Sequence, residues 1–378
     1  MKTIYQKSVA LHKKKQGKLE IKSKVNLKNK ADLSLAYTPG VAEVCRIITK
    51  NKKQVFTHTL KGNAVAVITD GSAVLGLGNL GPEAALPVME GKCILFKNFA
   101  NVDAWPICLA TQEVEEIIQT IKNIAPVFGG INLEDISAPR CFEIEERLKK
   151  ELSIPVMHDD QHGTATVVLG ALINALKVCQ LNKEAARLVI SGCGAAGTAI
   201  TKLLLRYGFK NIIVCDTKGI IYPNRPELTP VKKELAQLTN RQKIRGSVAD
   251  ALKGADVFIG VSTKNILNTA IIKSMNKKAI IFALANPIPE IMPELAKRAG
   301  VFIIATGRSD FPNQINNVLA FPGIFRGALD NKVKQIKSEM LIRAAEALAK
   351  LVKKPTVTKI LPNPFDKRVV KAISKAIY

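Results

Sequence analysis

Residues 155–163 read Pro-Val-Met-His-Asp-Asp-Gln-His-Gly and put two adjacent carboxylates, Asp159 and Asp160, between His158 and His162. Some twenty residues earlier a second acidic pair, Glu134 and Asp135, follows the apolar run 127–133. Two strands whose ends each deliver acids would bring three carboxylates into one cleft. Like charges packed that closely repel, and a divalent cation is the usual way to hold them. Ligation by oxygen alone points to Mg²⁺ or Mn²⁺ rather than zinc.

A second constellation has a different chemistry. The strand-like run 187–190 feeds Ser191-Gly-Cys-Gly-Ala-Ala-Gly197, a G-x-G-x-x-G on Gly192, Gly194 and Gly197 with Cys193, Ala195 and Ala196 between them. A helix follows as far as Tyr207 and stops at Gly208; the next strand, 211–215, ends in Asp216, 19 residues after the third glycine. Strand, loop, helix and acid at this distance form a dinucleotide-binding fingerprint. Amide N–H groups at the helix start would hold a pyrophosphate, and Asp216 would accept from the ribose hydroxyls. Its charge opposes a 2′-phosphate and favours NAD over NADP, while Lys218 and Arg225 lie close enough to keep NADP open.

The elements that must position these groups alternate between strand and helix. Residues 63–69 form a continuous apolar run, expected for a strand buried on both faces. They end in the glycine-rich loop 70–81, and a helix follows over 82–89. Lys92 then precedes an expected strand over 93–97. Helices are expected over 112–123 and 139–151, with a strand at 154–157. The segment 164–179 is apolar nearly all round, as a helix buried between two domains would be. Strands at 256–261, 279–285 and 301–305 continue the pattern, and helices at 330–352 and 365–377 end it. The fold class is therefore α/β in two domains. Residues 1–157 form an N-terminal α/β substrate and metal domain. Residues 158–378 form a Rossmann-type dinucleotide-binding domain with a mostly parallel sheet and C-terminal helices.

The 378 residues suffice for two sizeable cores. No stretch of 18 residues escapes polar interruption, which argues against a membrane span, and the N-terminus lacks the apolar segment of a signal peptide. Seven cysteines, none within four residues of another, exclude C-x-x-C zinc and redox motifs; their odd number fits reduced thiols and a cytoplasmic location. The net charge of +25 is concentrated at the ends: residues 1–30 and 331–378 carry +9 each. A basic surface of this kind would suit nucleic acid. The ends have few aromatic residues to stack bases, however, and no recognised nucleic-acid motif appears, so no specific nucleic-acid partner is expected.

Several stretches together resemble the malic enzyme family in its short bacterial form. They are Tyr37-Thr-Pro-Gly-Val-Ala42, the run 76–92 ending in Glu-Gly-Lys92, Leu133-Glu-Asp135, His158-Asp-Asp-Gln-His-Gly-Thr-Ala165 and Gln314-Ile-Asn-Asn-Val-Leu-Ala-Phe-Pro322. They occur in the family's order from about Lys18 to the C-terminus. The resemblance implies oxidative decarboxylation of malate to pyruvate and CO₂ with reduction of NAD or NADP, dependent on Mg²⁺ or Mn²⁺, in a homodimer or higher homo-oligomer. It places the general acid on Tyr37, the general base on Lys92, and the metal ligands on Glu134, Asp135 and Asp160. Asp159 would orient Lys92, and Asn286 and Asn317 would bind substrate beside Lys92. Larger animal-type relatives carry an arginine in the glycine-rich loop; here Ser72-Ala73-Val74 stands in its place, leaving Asn286, Asn317 and the metal to meet the C1 carboxylate.

The implied chemistry makes a demand on Lys92. An ordinary lysine is neutral only about 0.04% of the time at pH 7, and lowering its pKa to that point takes roughly 4 kcal/mol. Burial and a nearby cation would supply this, and Asp159 would oppose it. Two related activities are distinguishable rivals. A malolactic enzyme would release lactate, and a dehydrogenase without decarboxylation would not need three carboxylates.

Overall fold

A computed structural model describes residues 3–378. Its first sheet has four parallel strands: β1 (Ala64–Thr69), β2 (Asp103–Cys108), β3 (Gly130–Leu133) and β4 (Val156–His158), in the order β2-β1-β3-β4. The second is built from β5 (Arg187–Ser191), β6 (Asn211–Asp216), β7 (Gly219–Ile220), β8 (Val257–Gly260), β9 (Ile280–Ala283) and β10 (Ile303–Thr306). Its order is β10-β9-β8-β5-β6-β7, parallel except for the β6–β7 pair. The α/β class with a mostly parallel second sheet is thus as the sequence indicates. Both sheets turn the C-terminal ends of central strands toward loops that carry acids or glycines, the usual place for a ligand in such sheets.

The first sheet differs from expectation at one edge. Residues 93–97 are not a strand; Pro82–Ala100 is one continuous helix. The expected helix stopped at Met89, just before Gly91, but the buried residues Ala85, Met89, Lys92, Cys93, Phe96 and Ala100 recur at helical spacing along one face. Tertiary burial outweighs the local propensity, and Lys92 lies on the inward stripe. The strand itself is β2, half-buried and containing Pro106, which an edge position tolerates.

The Asp159–Cys179 helix is long and apolar enough to cross a membrane, yet 72% of that apolar window is buried inside the protein. Its Val168, Leu172 and Leu176 share one core with Val65 and Val67 of β1 and with Ile190, Ile259 and Phe282 of the second sheet. The helix begins at Asp159 rather than after Gly163, so both acids of the pair sit in its first turn. The expected 330–352 helix is shorter, Ser338–Lys350, and a separate helix that was not foreseen, Phe321–Asp330, precedes it. The latter packs back on the first sheet's helix through Phe96, whose ring lies 4.7 Å from Phe321 and 5.5 Å from Phe325.

Candidate active site

Glu134 and Asp135 follow β3, and Asp159 and Asp160 follow its neighbour β4, so strand pairing brings the two acidic pairs together. Glu134, Asp135 and Asp160 each offer a carboxylate oxygen, and these oxygens lie within 4.8 Å of one another. Asp160 Oδ2 accepts the Asp135 backbone N–H at 2.9 Å, fixing Asp135 in the left-handed region at φ 53. Such a backbone is uncommon outside glycine and is stored where the surroundings demand it. Asp135 Oδ2 is buried without a hydrogen-bond partner. Burial, with the Asp160 charge beside it, pushes the Asp135 carboxyl up to about 8, and burial with its acidic neighbours lifts Glu134 well above the carboxylate range. An orphaned acceptor among carboxylates that resist ionising is what a divalent cation would satisfy, and the all-oxygen donor set fits Mg²⁺ or Mn²⁺.

Lys92 stands directly against this cluster. Its Nζ contacts Asp159 Oδ2, lies 2.9 Å from Glu134 Oε1 and sits 4.5 Å from the centre of the Phe321 ring. Burial would lower its pKa, but the charges of Asp159, Glu134 and Asp160 prevail and raise it. In the chain alone Lys92 is therefore held protonated, the opposite of the lowering its role as a base requires. Asp159 is fully buried, and burial pushes its carboxyl up to about 6 despite Lys92. Its Oδ1 has no partner, and a Cβ on Gly163 would come within 1.8 Å of it.

The expected substrate asparagines border the same region. The Gly163 position lies against the Cβ of Asn317, four residues along the helix from Asp159. The Asn286 backbone abuts Gly76 of the glycine-rich loop, and its side chain faces Gly307. The loop itself has no cation, but Arg140 reaches its base, with Nη2 2.9 Å from Asp70 Oδ2.

Tyr37 is not brought into this group. It caps the C-terminal end of the Lys30–Ala36 helix in a non-helical conformation and is 67% exposed. His158 Nδ1 lies 3.7 Å from Asp160 Oδ2, beside the three-carboxylate set, whereas His162 turns to Glu145. His162 Nε2 lies 2.9 Å from Glu145 Oε2, while Glu145 Oε1 accepts the His158 backbone N–H at 2.9 Å. Glu145 thus pins the junction of β4 and its helix. Sequence reading missed Glu145, which belongs to no local chemical motif, and although Phe321 lies in the 314–322 stretch nothing local places its ring beside Lys92.

The glycine loop assigns a separate task to each glycine. Gly192 has φ +106, and a Cβ there would meet the Val261 carbonyl at 2.5 Å. A Cβ on Gly197 would meet the Gly192 carbonyl at 1.8 Å, so helix and strand pack too closely for any side chain. At Gly194 nothing lies within 4 Å, leaving open space for a ligand against the backbone. Gly194 precedes the Ala195–Tyr207 helix and makes no side-chain cap, so the first amides of Ala195, Ala196 and Gly197 are left for a phosphate. Cys193 completes the turn between them.

Family comparison decides the assignment. Residues 16–149 match the malic enzyme N-terminal domain and residues 161–377 the malic enzyme NAD binding domain. The chain belongs to the malic enzyme family. It is 56% identical to the bifunctional malic/malolactic enzyme of Bacillus subtilis, over 99% of this chain and 92% of that one. It is 55% identical to the NAD-dependent malic enzyme of Geobacillus stearothermophilus, over 96% and 76% of the two chains. The crystal structure of an NAD-dependent malic enzyme from Thermotoga maritima superposes with a TM-score of 0.95 at 50% identity, covering 98% of each chain. The second sheet and its loop are accordingly the malic enzyme fold's NAD(P)-binding unit.

Proposed function

We propose that this malic enzyme oxidatively decarboxylates (S)-malate to pyruvate and CO₂ with reduction of NAD or NADP, and that Glu134, Asp135 and Asp160 hold Mg²⁺ or Mn²⁺. The supporting observation is the contact of Lys92 with Glu134, one of three carboxylates whose oxygens lie within 4.8 Å of one another. When bound, the dinucleotide takes up a hydride and the cation polarises the substrate's oxygens as a Lewis acid.

The residues divide the remaining work. Lys92 takes the proton of the C2 hydroxyl. Two of the anions that hold it charged, Glu134 and Asp160, are in the proposed ligand set, so neutralising them moves Lys92 toward the base it must become. Asp159, outside that set, keeps the amine aligned. Asn286 and Asn317 orient the substrate from the second domain's side. The wall formed by Phe321 excludes water from the amine.

Tyr37 is assigned the proton delivered to C3. It lies on an N-terminal arm whose Ile21 and Leu35 are 83% and 81% exposed. Apolar exposure on this scale supports a homodimer or higher oligomer that covers the arm, and Tyr37 acts within that assembly. We divide the tasks at residue 157, with substrate and metal before it and dinucleotide after it. The seven cysteines are all free, which supports a cytoplasmic setting.

The test is absorbance at 340 nm with malate and each nucleotide, with and without Mn²⁺, followed by product identification. Pyruvate formed only with metal and nucleotide supports the proposal; turnover indifferent to EDTA overturns the ligand assignment. The name of the Bacillus subtilis relative supports a second reading, in which part of the product is lactate. The same product analysis separates the two.

A further inference from the structure

Asp216 was expected to receive the ribose hydroxyls, but its acceptor positions are already taken. Oδ1 accepts the Lys218 backbone N–H and Arg225 Nη1, each at 2.9 Å. Oδ2 accepts Lys232 Nζ at 2.7 Å and also Arg225 Nη2. A carboxylate offers about four lone-pair sites, and four donors fill them. The side chain of Asp216 is only 5% exposed. A neutral ribose diol arriving here would have to break a charge-assisted bond to be bound.

The two cations have capacity left over. Arg225 is 8% exposed, and its Nε–H is buried with no acceptor. Lys232 is 26% exposed and stands beside Cys193 of the glycine loop. One carboxylate against a guanidinium and an ammonium leaves a local charge of +1. Lys218 adds nothing to it, because its amine is paired with Glu227. The group is correctly placed for the adenosine end of a dinucleotide: β6 lies beside β5, and the Gly192 N–H bonds the Cys215 carbonyl at 2.9 Å.

We propose that Arg225 and Lys232, held in place by Asp216, form a 2′-phosphate site, and that the chain prefers NADP to NAD. This rests on the dinucleotide reading above but reverses the preference that an acid at the end of β6 suggests. Asp216 is a positioning residue whose function is to fix two cations: the partly exposed Lys232 amine meets the dianionic phosphate, and Arg225, held also by the Gly219 and Ile220 carbonyls at 3.2 and 3.1 Å, backs it with its charge.

Isothermal titration calorimetry on the full chain, with no malate present, tests this with two pairs of probes: NADP against NAD, and 2′,5′-ADP against 5′-AMP. Each phosphorylated member is expected to bind about ten-fold more tightly, with a gap that narrows as salt rises. Lys232→Met, a partly exposed change that leaves the core alone, is expected to weaken NADP several-fold more than NAD. Arg225→Gln is expected to do the same, with a thermal melt to show that the chain is folded. NAD binding as tightly as NADP, or a preference indifferent to Lys232→Met, overturns the 2′-phosphate site alone. Failure to bind either dinucleotide overturns the cofactor reading with it.

Discussion

Gly163→Ala separates stability from catalysis. Gly163 lies in the first turns of the Asp159–Cys179 helix with an ordinary helical backbone. On propensity alone, alanine there would stabilise the helix by roughly 1 kcal/mol. The new Cβ, however, would fall 1.8 Å from Asp159 Oδ1 and 2.9 Å from its Cγ. Ordinary contact begins near 3.4 Å, so the carboxylate must retreat by more than 1 Å. Asp159 is the group that contacts Lys92, and it is buried with no alternative partner for Oδ1. A displacement of about 1 Å at a reacting group costs on the order of 100-fold in rate. The expected result is a kcat lowered by about that factor, with a melting temperature changed little, because helix propensity offsets part of the disturbed ion pair. Steady-state rates with saturating malate, nucleotide and Mn²⁺, together with a thermal melt, measure both. A variant with unchanged kcat would refute the claim that Asp159 aligns the amine.

Other outcomes follow from the same geometry. Asp160→Ala is expected to abolish metal-dependent turnover, with Mn²⁺ titration showing lost binding and circular dichroism an intact fold. Tyr37→Phe is expected to slow pyruvate formation more than hydride transfer, which pre-steady-state absorbance against quenched product analysis would resolve. Asp216 carries a pH signature. Burial would raise its pKa, but Arg225, Lys232 and the Lys218 N–H hold it down to about 2. Its folded value lies below the unfolded carboxyl near 3.9, so its contribution is complete above about pH 4 and lost as pH falls through about 2. The stability gap between the chain and Asp216→Asn, followed by chemical denaturation, should be constant from pH 7 to 5 and shrink steadily below pH 4.

The parts of the site that sequence disclosed were those fixed by local chemistry. G-x-G-x-x-G needs a turn, an opening and a close approach at three set positions, and Gly192, Gly194 and Gly197 meet these in order. The acids at 134–135 and 159–160 announced themselves because strand ends deliver them. The groups that sequence left hidden depend on distant partners. Lys92 was placed between a helix ending at Met89 and a strand starting at Cys93, and only burial along a helical stripe shows otherwise. The saturation of Asp216 needs Lys232, sixteen residues on, folded back beside it. Tyr37 enters only through the family resemblance, and its exposure appears only when the arm's lack of cover is seen.

The aromatic wall over Lys92 comes from Phe321, in a helix near the far end of the chain. Phe96, one turn beyond the lysine, is clasped by that same helix. A ribosome that has finished the first sheet has therefore made the amine and its carboxylates but not the enclosure around them. Competence arrives only when almost the whole polypeptide has emerged and folded back, so a nascent fragment carries the charged groups without the dry chamber in which they act.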